Sequence, residues 1–146
     1  MPMEPSTYLK LTAAWAPVAI RVVLGIIFMA HGSQKLFGAF GGHGIGGTAG
    51  FFGQLGIQPA VFWAWVVAIV ELFGGLALVL GLLTSIASIL IIINMLVAIA
   101  FVHGKQGFFA GGGGFEYNLA LIAMAASLIL SGPGALSLGR LIGWRI

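Results

Sequence analysis

The sequence predicts an all-α membrane protein: a bundle of four transmembrane helices with a short interfacial helix. Three observations carry that expectation. Hydrophobic residues make up 60% of the 146 residues and charged residues only 6%, whereas soluble domains carry about 25% charged residues. Six Lys/Arg and three Asp/Glu are too few to solvate a compact body of this size, and the same apolar fraction excludes a disordered chain. Four apolar stretches also approach the roughly 20 residues that a helix needs to cross a hydrocarbon core. The length fits one domain over residues 1–146. The pI of 9.8 does not point to nucleic acid, because the net charge of +3 is spread along the chain with no basic run. Cysteine is absent, which removes disulfides, thiolate nucleophiles and cysteine-ligated iron–sulfur or zinc centres.

The first stretch, Ala13–Gly32, is interrupted only by Pro17 and Arg21. It is long enough to span and no clear small-residue cleavage site follows it, so it reads as a retained helix and not a signal peptide. The second, Ala60–Leu82, contains Glu71, and the third, Ser85–Val102, contains Asn94. Thr84-Ser85 offers a tight turn and an N-cap between them. The fourth, Phe115–Leu130, starts with Glu116 beside it, and Ser131-Gly132-Pro133-Gly134 stops it.

An even number of spans puts both termini on one face, side A, with Lys10, Arg140 and Arg145. Side B receives two loops with Lys35 and Lys105. This excess of basic residues on side A favours cytoplasmic termini. Trp15 and Trp144 suit the interface on side A and Trp63 that on side B. Within the loop Gln34–Pro59, residues Thr48–Leu55 read as a short helix with Thr48 as its cap, because Phe51, Phe52 and Leu55 recur at helical spacing. The other loop, Gly104–Gly114, carries Phe108-Phe109 and then, after Ala110, four glycines. Such a run lets a ligand approach the backbone, or is simply a permissive connection. The glycine-rich Gly41–Gly47 follows no predicted strand and therefore fails as a nucleotide loop.

Inside lipid, helices associate through close packing of small residues. Candidate seams are Arg21, Gly25, Phe28 and Gly32 on the first helix, and Ala64, Ala68, Glu71 and Gly75 on the second. The fourth offers Glu116, Ala120, Ala123 and Ser127. Each seam carries an ionisable group, which places the charges inside the bundle. An interhelical hydrogen bond accounts for Asn94, with Ala87 and Ala98 on its face. Arg21 and Glu71 fall at depths that agree to within about one turn in a core of about 30 Å, so they are expected to pair. That pair either fixes helix register or lies in a proton or ligand path.

A second cluster gathers on side B. His31 and Lys35 are one turn apart, His103 and Lys105 close the third helix, and Glu116-Tyr117 opens the fourth. Aromatic residues including Phe51 and Phe109 belong to the same face. Apolar walls with a few convergent polar groups are the expected form of a small-molecule site; an aromatic belt with snorkelling lysines is the plainer account. The candidate catalytic residues are His31, Glu116 and Glu71, which can exchange protons. The candidate ligand-binding residues are Arg21, Lys35, His103, Phe51, Phe109 and Tyr117. His31, His103 and Glu116 have the composition of a two-histidine, one-carboxylate metal set but no local ligand spacing, and no metal is assigned.

At these residues the chain resembles the DoxX family of small membrane proteins. The resemblance rests on Arg21-Val22-Val23-Leu24-Gly25, on His31-Gly32-Ser33-Gln34-Lys35-Leu36-Phe37-Gly38 and on Glu71-Leu72-Phe73-Gly74-Gly75. It continues through Leu80-Gly81-Leu82-Leu83-Thr84, His103 with Gly107-Phe108-Phe109, Glu116, and the tail Gly132-Pro133-Gly134-Ala135-Leu136-Ser137-Leu138. Gly139 stands where the family often has an aspartate, so no role is given to an acid there. The resemblance implies a four-helix bundle in a bacterial inner membrane. It also implies a link to quinones, since relatives include the membrane subunit of a thiosulfate:quinone oxidoreductase and proteins tied to redox stress.

The leading expectation is therefore a membrane subunit that meets quinone, as substrate or bound ligand, in an oxidoreductase system or redox-stress response. With no cysteine and no nucleotide motif in the chain, electrons must come from a redox partner protein or a diffusible reductant. Competing expectations are a small-molecule binder or transporter, which would favour a homo-oligomer, and a non-catalytic assembly or scaffold subunit.

Overall fold

The computed structural model describes residues 4–143. Trp144 and Arg145, both assigned to side A, lie outside the described residues. The elements are α1 (Pro5–Phe37), α2 (Gly44–Gln54), α3 (Ala60–Leu80), α4 (Thr84–Ala98), α5 (Glu116–Ser131) and α6 (Leu138–Leu141). A π-helical segment, Ile99–His103, prolongs α4. Three helical segments are long and apolar enough to cross a membrane: Ser6–Phe37, Ala60–Leu80 and Thr84–Gln106. The fourth expected span, α5, has 16 residues, about 24 Å at 1.5 Å per residue. It packs in the same bundle, against α1 and α4.

Glycine sets two of the helix ends. Gly38 (φ 71°) closes α1 and Gly81 (φ 67°) closes α3, both in the left-handed conformation that a side chain resists. The turn between α3 and α4 lies at Gly81–Leu83, and Leu83 precedes α4 with no side-chain cap. Thr84 is thus the first helical residue and not a cap. Thr48 likewise sits inside α2, its hydroxyl donating to the Gly44 carbonyl at 2.8 Å. The short helix begins four residues earlier than its side-chain pattern suggested because glycines carry its first turn.

Two seams form as the small-residue stripes require. Arg21, Gly25, Phe28 and Gly32 are buried on α1, and Ala64, Ala68, Glu71 and Gly75 on α3. A Cβ at Gly25 would lie 2.6 Å from the Gly75 carbonyl oxygen, and one at Gly75 would lie 2.6 Å from that of Gly25. A Cβ at Gly32 would strike the Leu72 backbone. The fourth seam is corrected. On α5 the buried residues are Asn118, Leu121, Ala125 and Leu128, whereas Ala120 and Ala123 are exposed. Leucines can face core or lipid equally well, so apolar size does not tell the two faces apart.

The glycine contacts fix the register of α1 against α3, and that register rules out the expected Arg21–Glu71 pair. Arg21 instead lies at the C-terminal end of α3. Its Nη1 donates to the carbonyls of Leu78 (3.3 Å) and Val79 (3.1 Å), and its Nη2 to those of Ala135 (3.0 Å) and Leu136 (2.7 Å). The last carbonyls of a helix have no partner within it, and their negative end favours a cation. The tail is fastened at the same place: Ser137 Oγ donates to the Gly81 carbonyl at 2.8 Å, and the Gly139 N–H to the same oxygen at 3.1 Å. The depth argument failed because α1 is 33 residues long, about 50 Å. The apolar run alone does not say which part of such a helix faces α3.

Candidate functional site

In the side-B half of the bundle the helices enclose a cavity of about 670 Å³. The glycine register brings Lys35, about two turns beyond Phe28 on α1, against Glu71 on α3. Lys35 Nζ donates to Glu71 Oε2 at 2.6 Å, and Asn94 Nδ2 on α4 donates to Glu71 Oε1 at 2.8 Å. Glu71 is buried and Lys35 only partly so, with 26% of its side chain exposed against 4% for Glu71. Burial of an unpaired carboxylate is strongly unfavourable, and here an ammonium and an amide offset that cost. All three residues line the cavity.

The rest of the wall is apolar. Phe28, Val67, Val70, Ile93, Met95 and Leu121 contribute to it, as do Phe51 and Phe52 of α2 and Leu55 just after it. Several lining residues of α3 and of α4 with its π-helical extension are also exposed on the outer surface: Trp63, Leu90, Ile93, Val97 and Phe101. The cavity is partly open, and exposed apolar residues of α3 and α4 stand at its edge. A second, more polar cavity of about 350 Å³ adjoins it at Lys35, Phe51 and Phe52, and is lined beyond them by Gln34, His43 and Thr48.

The loop between α4 and α5 is held by two side chains. His103 Nδ1 lies 2.7 Å from the Gly113 carbonyl oxygen. A carbonyl only accepts, so Nδ1 carries the proton and Nε2 of the neutral ring is left as an acceptor. Glu116 Oε1 accepts from the Ala110 N–H at 2.6 Å. Phe108 packs edge-on against both Phe109 and Phe115, with centroids 5.4 and 5.6 Å apart.

Of the candidate residues, Glu71, Lys35, His31, His103, Phe51 and Tyr117 converge on the cavity wall. Three do not. Arg21 is at the other end of α3, committed to backbone carbonyls. Glu116 secures the loop, and Phe109 is 73% exposed. Among the described residues no three His, Cys, Asp or Glu side chains gather as a metal set. Two lining residues with amide side chains went unassigned as ligand contacts. Asn94 reads correctly as an interhelical hydrogen-bonder but also faces the cavity, and Asn118 went unnoticed. A buried amide one turn into an otherwise apolar helix was the available signal. Asn118 Nδ2 donates to Met95 Sδ at 3.4 Å, a weak acceptor.

Comparisons with known proteins agree with this architecture. The DoxX family model matches residues 16–104, from α1 to the end of the π-helical segment. "Putative oxidoreductase CatD" of Bacillus subtilis (strain 168) is 35% identical over 119 residues, covering 82% of this chain and 81% of that protein. "Uncharacterized membrane protein Rv3486" of Mycobacterium tuberculosis is 30% identical over 138 residues, covering 88% of this chain and 82% of its own length. No solved structure gives a significant match. The matched region holds α2, α3, α4 and the part of α1 that lines the cavity, while α5 lies beyond it, and the chain belongs to the DoxX family.

Proposed function

We propose that this chain is a quinone-binding membrane subunit of an oxidoreductase system, crossing the cytoplasmic membrane four times with both termini in the cytoplasm. One observation carries the reading: a largely apolar cavity within the membrane-spanning bundle has the Lys35–Glu71–Asn94 network in its wall. Glu71 is 11 residues from the start of α3, about 16 Å along the axis, which is close to the middle of a core of about 30 Å. A phospholipid headgroup does not reach that depth. A small, uncharged ring with an apolar tail does, and its tail can lie along the exposed apolar residues of α3 and α4 at the cavity's edge. The oxidoreductase name of the Bacillus relative supports the same direction.

A bound quinone supplies two-electron, two-proton acceptor chemistry. The chain's own residues hold the ring and handle protons. Lys35 has N–H donors beyond the one given to Glu71, and these can hold a ring oxygen. Glu71 and the ring nitrogens of His103 and His31 are sites where a proton can reside. The second cavity gives Lys35 a path to water on side B. Glu116 acts by keeping the loop in place, and Arg21 by keeping the bundle closed. Electrons enter from a partner protein or a diffusible reductant, because the chain has no cysteine or nucleotide motif.

Purification from native membranes in mild detergent, followed by lipid extraction and quantitation, tests this. Near-stoichiometric quinone is expected, falling sharply in Ile93→Trp, where the indole fills the open edge. The same preparation reveals whether a redox partner or a second copy co-purifies. A folded protein carrying a different solute would favour a binder or transporter. One carrying neither would favour a scaffold subunit.

A further inference from the structure

Two cavities meet at one ionic pair. Lys35, Phe51 and Phe52 line both of them, and Lys35 Nζ reaches the buried Glu71 carboxylate. The smaller cavity is otherwise walled by polar side chains and by glycine. Gln34 and Thr48 stand in it, and Gly41, His43 and Gly47, which also line it, are exposed on side B. A Cβ at Gly42 would strike the Gln34 backbone, so the loop is seated on α1 and this wall is fixed. Phe51 and Phe52, with ring centroids 6.4 Å apart, stand as an apolar partition between the two cavities. Lys35 is the polar group that crosses it.

Toward side A the same pair faces packed hydrocarbon. Leu24 and Phe28 on α1, Leu78 on α3, Ile91 on α4 and Leu128 on α5 belong to one core cluster, and each is at most 1% exposed. Phe28 is at once part of that cluster and part of the larger cavity's wall. The polar atoms of this half do not bridge the cluster. Arg21 Nε, Thr84 Oγ1 and Ser88 Oγ are buried there without hydrogen-bond partners among the described residues, and Ile91 stands between Ser88 and Asn94 on α4. A charge crossing such a layer unpaired meets a steep desolvation cost.

We infer that the smaller cavity is the aqueous route to the buried Lys35–Glu71 pair and that this route opens on side B alone, so the protons of the reaction come from that side and return to it. Reduction of one quinone to its hydroquinone takes two electrons, from the redox partner or reductant, and two protons. Lys35 gives a proton to the ring oxygen and regains one from side-B water, while Glu71 holds the other in transit. Reoxidation of the hydroquinone sends both back the same way. The inference rests on the quinone reading for the identity of the reaction, but the route itself is testable without any quinone.

Glu71→Cys and Asn94→Cys are each made in the cysteine-free chain and placed in right-side-out and inverted membrane vesicles. Silver ion, a small charged thiol reagent, is added outside. Thiols that remain free are counted with a fluorescent maleimide after denaturation. Gly111→Cys and Thr7→Cys report which face is outward. Both cavity thiols are expected to be lost in the vesicles where Gly111→Cys is lost, and to survive where Thr7→Cys is lost. Thr48→Trp, added to either variant, should slow the loss by filling the smaller cavity. His43→Trp should do the same from an exposed position that leaves the core undisturbed. Loss from the Thr7 side, no loss from either side, or loss that neither tryptophan slows overturns the inference. None of these outcomes touches the quinone reading, which stands or falls on the lipid extract.

Discussion

Glu71 has two partners, and they differ in what their loss leaves behind. Lys35→Met leaves a carboxylate buried with only an amide for support, which should cost about 3–5 kcal/mol. Glu71→Gln leaves an ammonium that is already part-exposed and can move toward side B, so its cost should be smaller. The double variant should lose less than the sum of the two. Unfolding of all three variants in detergent checks this, and strictly additive losses would mean that the 2.6 Å pair is energetically idle. The sequence marked Glu71 and Asn94 as residues needing partners, because isolated polar groups in apolar helices do, and read Lys35 as a ligand-binding or snorkelling lysine on side B. It did not show which partner each would take. Arg21 and Lys35 are both cations on α1, and only the three-dimensional placement of Gly25 against Gly75 decides between them.

At the scale of elements, the α1–α3 contact is made backbone to backbone. Gly25→Val should force the helices apart and cost about 1–3 kcal/mol, because the added carbons meet the Gly75 carbonyl and Val79. Gly74 neighbours the seam but faces open space. Gly74→Ala should be neutral or stabilising by up to about 1 kcal/mol, through helix propensity alone. Thermal melts of the two variants side by side separate packing from propensity, and equal melting points would refute the contact. These stripes were legible because small residues at helical spacing have one main use in lipid. The α5 face was not, since its core contacts are leucines that suit lipid equally well. The α2 start was obscured by glycines, which carry no face to read.

For the whole molecule, the lack of native cysteine makes topology directly measurable. Thr7→Cys and Arg140→Cys should react with an impermeant thiol reagent from one side of the membrane, and Gly46→Cys and Gly111→Cys from the other. Labelling of Arg140→Cys and Gly111→Cys from the same side would mean that α5 does not cross. Fold class was readable from composition, which reports how much surface must avoid water. The position of the cavity was readable only as a face, because its depth and open edge depend on how α3 and α4 separate beyond the Gly81 turn.

The clamp formed by Arg21 has a consequence for the order of assembly. Its donors reach across 57 and 58 residues to Leu78 and Val79, then across 114 and 115 to Ala135 and Leu136. A ribosome delivers the first pair of acceptors long before the second. During synthesis the guanidinium therefore waits in the bilayer half-satisfied, and the bundle cannot lock until nearly all of the chain has emerged. A chain stopped at Ser131 keeps α1 to α5 yet never supplies those last carbonyls. It should insert normally and then be cleared by membrane proteases, a fate readable as a shortened half-life in pulse-chase. Arg21→Met, which needs no such partner, should restore part of that lifetime.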